Sequence, residues 1–147
     1  MNFATDAQRV CYEKVAGLIK EMFGEMAAVH PDQPSFGLRM GSALAQVVVH
    51  PWGKDDATVS TRSYVVIGAE VTPELMRYLL RKNDEFRFGA FGLDSEGDIF
   101  FEHSIVGSGC DKNELRACVL AVAQTADEYD EEIVSRWGGQ RALDKIR

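Results

Sequence analysis

The chain has 147 residues, 46% of them hydrophobic, with a formal charge of −7 and a pI near 4.9. A chain of this length buries roughly 70% of the surface it exposes when unfolded, so one domain spanning residues 1–147 is expected. The acidic balance argues against nucleic acid as a partner, because phosphate binding needs clustered Lys and Arg, and no stretch approaches the roughly 18 apolar residues of a membrane span.

Three cysteines, Cys11, Cys110 and Cys118, occur without a C-x-x-C pair, which favours reduced thiols over a disulfide framework. The opening residues MNFATDAQRV have no basic segment followed by an apolar run, so a cytoplasmic protein is expected.

Thr5-Asp6-Ala7-Gln8 has the form of a capping box and predicts a helix over about 6–23, with Cys11, Val15, Leu18 and Met22 as its apolar stripe, widened by Tyr12, Ile19 and Phe23. From Gly24 to Gln33 the chain becomes polar, and His30-Pro31 and Gln33-Pro34 discourage helix by restricting the residue before each proline. Phe36, Leu38 and Met40 then alternate with Ser35, Gly37 and Arg39, the period of a strand with one buried face. Gly41-Ser42 turns into a second strand, Ala43 to His50, and Pro51-Trp52-Gly53-Lys54-Asp55-Asp56 reads as another turn. A third strand, about Ala57 to Ala69, has Val59, Val65 and Ile67 on one side and Tyr64 and Val66 on the other.

Thr72-Pro73-Glu74 starts a second helix over about 73–83, with Leu75, Met76, Leu79 and Leu80 expected inward. Residues 86–106, FRFGAFGLDSEGDIFFEHSIV, divide at Asp94-Ser95-Glu96-Gly97 into a hairpin, with Phe91 and Leu93 on one arm and Ile99, Phe101 and Ile105 on the other. A second capping box, Asp111-Lys112-Asn113-Glu114, opens a long helix whose stripe runs Leu115, Val119, Val122, Ala126, Tyr129, Ile133, Trp137 and stops at Gly138-Gly139. The last eight residues form a short basic tail. The order α-βββ-α-ββ-α with short connections predicts an α+β fold, a five-stranded mainly antiparallel sheet with helices packed on it.

Chemistry-bearing residues do not assemble into a catalytic motif. His30, His50 and His103 have no metal-ligand spacing. Asp94, Glu96, Asp98 and Glu102 crowd the hairpin, where turn formation and solubility explain the acids. Gly107-Ser108-Gly109-Cys110 ahead of a helix leaves a thiol enzyme using Cys110, with His103 beside it, as an alternative. The acidic run 127–132 reads as the solvated face of the last helix.

The stretch Arg87 to Ser104 and the continuation Thr125 to Glu132 resemble the bacterial YbjN-domain proteins, over a core of about residues 5–139. The resemblance implies the type III secretion chaperone-like fold and a homodimer that holds an extended peptide or protein client without cofactor or turnover. An extended client can add to a sheet edge through backbone hydrogen bonds. Phe36, Leu38 and Met40 are the candidate peptide-binding strand, with Trp52 as an aromatic anchor, unless the alternation marks core. A regulator responding to a small ligand is the alternative function.

Overall fold

The first helix, α1 (Asp6–Phe23), starts where Thr5 Oγ1 accepts the Gln8 N–H at 3.1 Å, and ends at Gly24 with a positive φ of 52°. Its buried stripe is Cys11, Val15, Ile19 and Phe23, with Leu18 and Met22 on the flank. The computed structural model describes residues 1–41 and 43–146, with side chains through residue 144. Ser42 of the expected Gly41-Ser42 turn and the last residue of the tail lie outside the described residues.

Seven strands form one sheet: β1 (Ala27–Val29), β2 (Ser35–Met40), β3 (Ala43–Trp52), β4 (Asp56–Ile67), β5 (Ala90–Leu93), β6 (Ile99–Val106) and β7 (Gln140–Arg141). Every pairing is antiparallel, in the order β1-β2-β3-β4-β6-β5, with β7 added beside β4. The helices are α1, α2 (Pro73–Glu85), α3 (Lys112–Trp137) and the short α4 (Ala142–Ile146).

The expected α+β architecture is present, but two strands exceed the five read from the sequence. β1 falls in the polar segment for which the sequence predicts no element, because a three-residue strand is made by pairing with β2 and not by its own composition. β7 and α4 replace the expected loose tail, held by pairing of Arg141 with Val66 and Gln140 with Ile67. β3 also continues through Pro51 and Trp52. Proline is tolerated there because β2 has already ended, its last partner in that direction being Val48.

All three long helices pack on one face of the sheet. In one cluster α1 and the start of α3 cover Phe36, Leu38, Ala45, Val47, Val49, Ala57 and Val59. In a second, the rest of α3 and one edge of α2 cover Val65, Val66, Ile99, Phe101 and Phe91. A bulge between Tyr64 and Val66 puts both Val65 and Val66 in the core, where strict alternation would have sent Val66 to the opposite face. On α2 only Leu75 and Leu79 are buried, whereas Met76 and Leu80 point outward, because the helix docks through a narrow edge. The reverse face of the sheet, including Leu44, Gln46, His50, Arg62, Tyr64, Phe100 and Val106, carries none of the long helices.

The close approach of the C-terminal segment to β4 depends on Gly139. Its φ is 78°, and a Cβ there would lie 2.6 Å from the Ile67 carbonyl oxygen and 2.7 Å from the Ala69 nitrogen. Replacing Gly139 by Ala should therefore cost about 2 kcal/mol or more. For a domain of this size that lowers the melting temperature by roughly 4–8 °C, and circular dichroism melts giving no shift would refute the tight fit.

Candidate peptide-binding face and cavity

The reverse face has its own interactions. Arg62 pairs with Glu102 across β4 and β6, and its guanidinium lies 3.7 Å from the centre of the Phe100 ring. Tyr64 donates its hydroxyl to Asp94 Oδ2 at 2.9 Å and meets Phe100 edge-on. Leu44, Tyr64 and Val106 expose apolar surface around these groups.

A notch interrupts this face. β3 pairs with β4 only as far as Ala45 and Ser63, while β7 takes up the same side of β4 at Val66. Tyr64 and Val65 between them have no strand partner on that side among the described residues. A cavity of about 430 Å³ forms here, lined by Ala28, Gly37, Leu44, Gln46, Arg62 and Tyr64 from the sheet and by Ala126, Asp127, Asp130, Ala142 and Leu143 from α3 and α4. His30 and Pro31, in the loop after the edge strand β1, line it as well.

Asp130 is only 6% exposed, although the acidic run containing it reads from the sequence as a solvated face. Ala126, Asp130, Ile133 and Trp137 are all buried and spaced by four, three and four, so the helical period itself carries the signal. Burial pushes the Asp130 carboxyl above the ordinary aspartate range; the Glu131 N–H and the field of Arg141 oppose the shift. Asp127, one turn earlier, is exposed at the cavity.

The four candidate peptide-binding residues do not form one exposed surface. Phe36 and Leu38 lie fully buried under α1, and Met40 packs half-buried against the same cluster. Contact with a client through these three would require α1 to lift away. Trp52 is 57% exposed at the far end of β3.

The alternative chemistries find little support in the geometry. Cys110 is buried, and burial pushes its thiol up to about 11, the opposite of an activated nucleophile. His103 faces the helices, its Nδ1 accepting the Gly89 N–H at 3.0 Å, and burial lowers its pKa. Glu102 is on the opposite face with Arg62, so Glu102 and His103 do not meet as a base pair. Asp94, Glu96 and Asp98 offer oxygens within 4.8 Å of one another. Asp94 nevertheless spends its oxygens on the turn: it accepts the Glu96 and Asp98 N–H groups and the Tyr64 hydroxyl, and the Asp98 backbone bond leads in lowering its pKa. Among the described residues no helix is long and apolar enough to cross a membrane.

The family described as "T3SS (YopN, CesT) and YbjN peptide-binding chaperone 1" matches residues 11–145. No curated protein sequence matches the chain significantly. Several solved structures share the fold. A chain of the ExsC-ExsE complex is 14% identical with a TM-score of 0.65, covering 83% of this chain and 95% of its own. A chain of the HopA1-SchA chaperone-effector complex is 11% identical, also at 0.65, covering 86% of this chain and 98% of its own.

Two outcomes follow. Because the folded carboxyl of Asp130 titrates above its unfolded value, the native state binds more protons in that window, and this group's contribution falls as pH rises from about 4 through the folded pKa. Asp130→Asn should thus raise the melting temperature at pH 7 and leave it nearly unchanged below about pH 4; a loss of stability at pH 7 would mean that the carboxylate is compensated. Iodoacetamide should modify the folded chain at least roughly tenfold more slowly than glutathione at pH 8, since all three cysteines are buried; equal rates would restore a reactive thiol.

Proposed function

Because the chain belongs to the T3SS and YbjN peptide-binding chaperone family, we propose that it is a cytoplasmic, non-enzymatic chaperone that holds an extended client segment across the helix-free face of its sheet. The observation that carries this reading is the cavity of about 430 Å³ opening on that face beside edge strand β1. β1 is only three residues long and pairs with β2 from Phe36 to Leu38, so its outer side offers backbone donors and acceptors to an added strand. From that edge the segment would continue across the helix-free face, where its side chains would reach Leu44 and Tyr64 and enter the notch. Trp52 lies on the same domain as a further aromatic contact, while Phe36 and Leu38 back the strand from the core side.

The working form is a homodimer. α2 leaves Met76 and Leu80 exposed, Leu80 at 70%, with Pro73 on the same stripe and Arg77, Arg81, Asp84 and Glu85 around it. An antiparallel pair of such helices about a two-fold axis would bury both stripes and set the arginines of one copy against the acids of the other.

The two surfaces can be separated by mutation. Leu80→Glu, at an exposed position, should change stability by less than about 0.5 kcal/mol while converting a dimer to a monomer in light scattering. Leu44→Asp should remove the polypeptides that wild-type protein retains in a pull-down from its native extract, at unchanged melting temperature. Retention of the same set by Leu44→Asp would move the client site off this face.

A further inference from the structure

We infer that the notch cavity selects a basic side chain, lysine or arginine, in the extended client segment; this deepens the peptide-holding reading and rests on it. Asp130 lines the cavity at 6% exposure, where its carboxylate takes the Glu131 N–H and the field of Arg141 but pairs with no side chain among the described residues. A largely buried carboxylate with one backbone donor and no ion pair is unfavourable, and a cation brought against it relieves that cost.

Two arginines near the cavity are committed elsewhere. Arg141, whose field reaches Asp130, is bound to Asp144 through two nitrogens, at 2.8 and 2.9 Å, and to Glu131 at 3.3 Å. Arg62, on the cavity's sheet wall, is neutralised by Glu102 and stacked on Phe100. Asp127 adds a second negative charge on the same wall. Apolar surface from Ala126, Ala142, Leu143 and Leu44 surrounds these groups. Such a lining suits a long side chain with an alkyl stem and a charged tip. A purely apolar side chain would desolvate Asp130 further without supplying a counter-charge, and an acidic one would meet two carboxylates.

The test uses a displayed library of random dodecapeptides panned on the full chain. Wild type should enrich peptides carrying Lys or Arg at one fixed spacing from their apolar residues. A synthetic consensus peptide should lose roughly tenfold in affinity, by fluorescence anisotropy, when that residue becomes norleucine, as expected for a charge-assisted hydrogen bond. Asp130→Asn should bind both peptides alike, with folding checked by circular dichroism; Asp127→Asn, at an exposed position with little folding risk, should lose a smaller part of the preference. Enrichment without a basic position, or the same preference retained by Asp130→Asn, overturns the inference alone. Failure of wild type to enrich any peptide overturns the peptide-holding reading and this inference with it.

Discussion

The placement of α3 across the middle of the sheet is the constraint on which the other elements depend. Its 26 residues span both halves of the core, Leu115 and Val119 joining α1 over β2 and β3, and Val122, Ala126, Ile133 and Trp137 joining α2 over β4, β5 and β6. The sheet accommodates it because β4 presents Ala57, Thr61 and Ser63 on that side, small residues over which a helix can lie close. Thr61 and Cys118 meet directly, with 3.4 Å between hydroxyl and sulfur. Once α1 and α3 occupy one face, the other is left to carry its own polar pairs, and the fold acquires two sides of different character.

That asymmetry relates the candidate site to the scaffold. The reverse face gains a recess where strand pairing lapses, between the end of the β3 ladder at Ser63 and the start of the β7 ladder at Val66. α3 closes the recess from beneath, which is why a residue on a core helix can face a surface opening. The bulge at Val65 belongs to the same place: it turns two adjacent valines into the core and leaves Tyr64 at the mouth.

Much of the scaffold was legible in the sequence because it rests on local rules. The caps at Thr5, Thr72 and Asp111 each accept an N–H three residues on, and the alternation in β2, β3 and β6 correctly separates the two faces. What was hidden depends on partners distant in the chain. β1 and β7 are too short to show a period and exist through their ladders; Leu80 follows the apolar pattern of α2 yet faces outward, covered by nothing among the described residues. Asp130 was obscured by its neighbours, five acids in six residues from Asp127 to Glu132, although its phase on the helix is that of Ala126 and Ile133. Composition points to solvent there, and periodicity points inward.

The strand order has a kinetic side. β1 to β4 form a meander of sequence neighbours, so their registers close short loops, whereas the pairing of β4 with β6 joins residues about 40 apart, as in Arg62 and Glu102. Loop closure over that span costs more entropy than any hairpin in the meander, and it encloses α2 together with β5. α2 sits at the far side of such a loop, held by two buried leucines and by Tyr78 and Asn83, which bond to α3 and β5. The meander can thus acquire its shape before α2 is seated, leaving the outward stripe of that helix as the last surface the folding chain arranges.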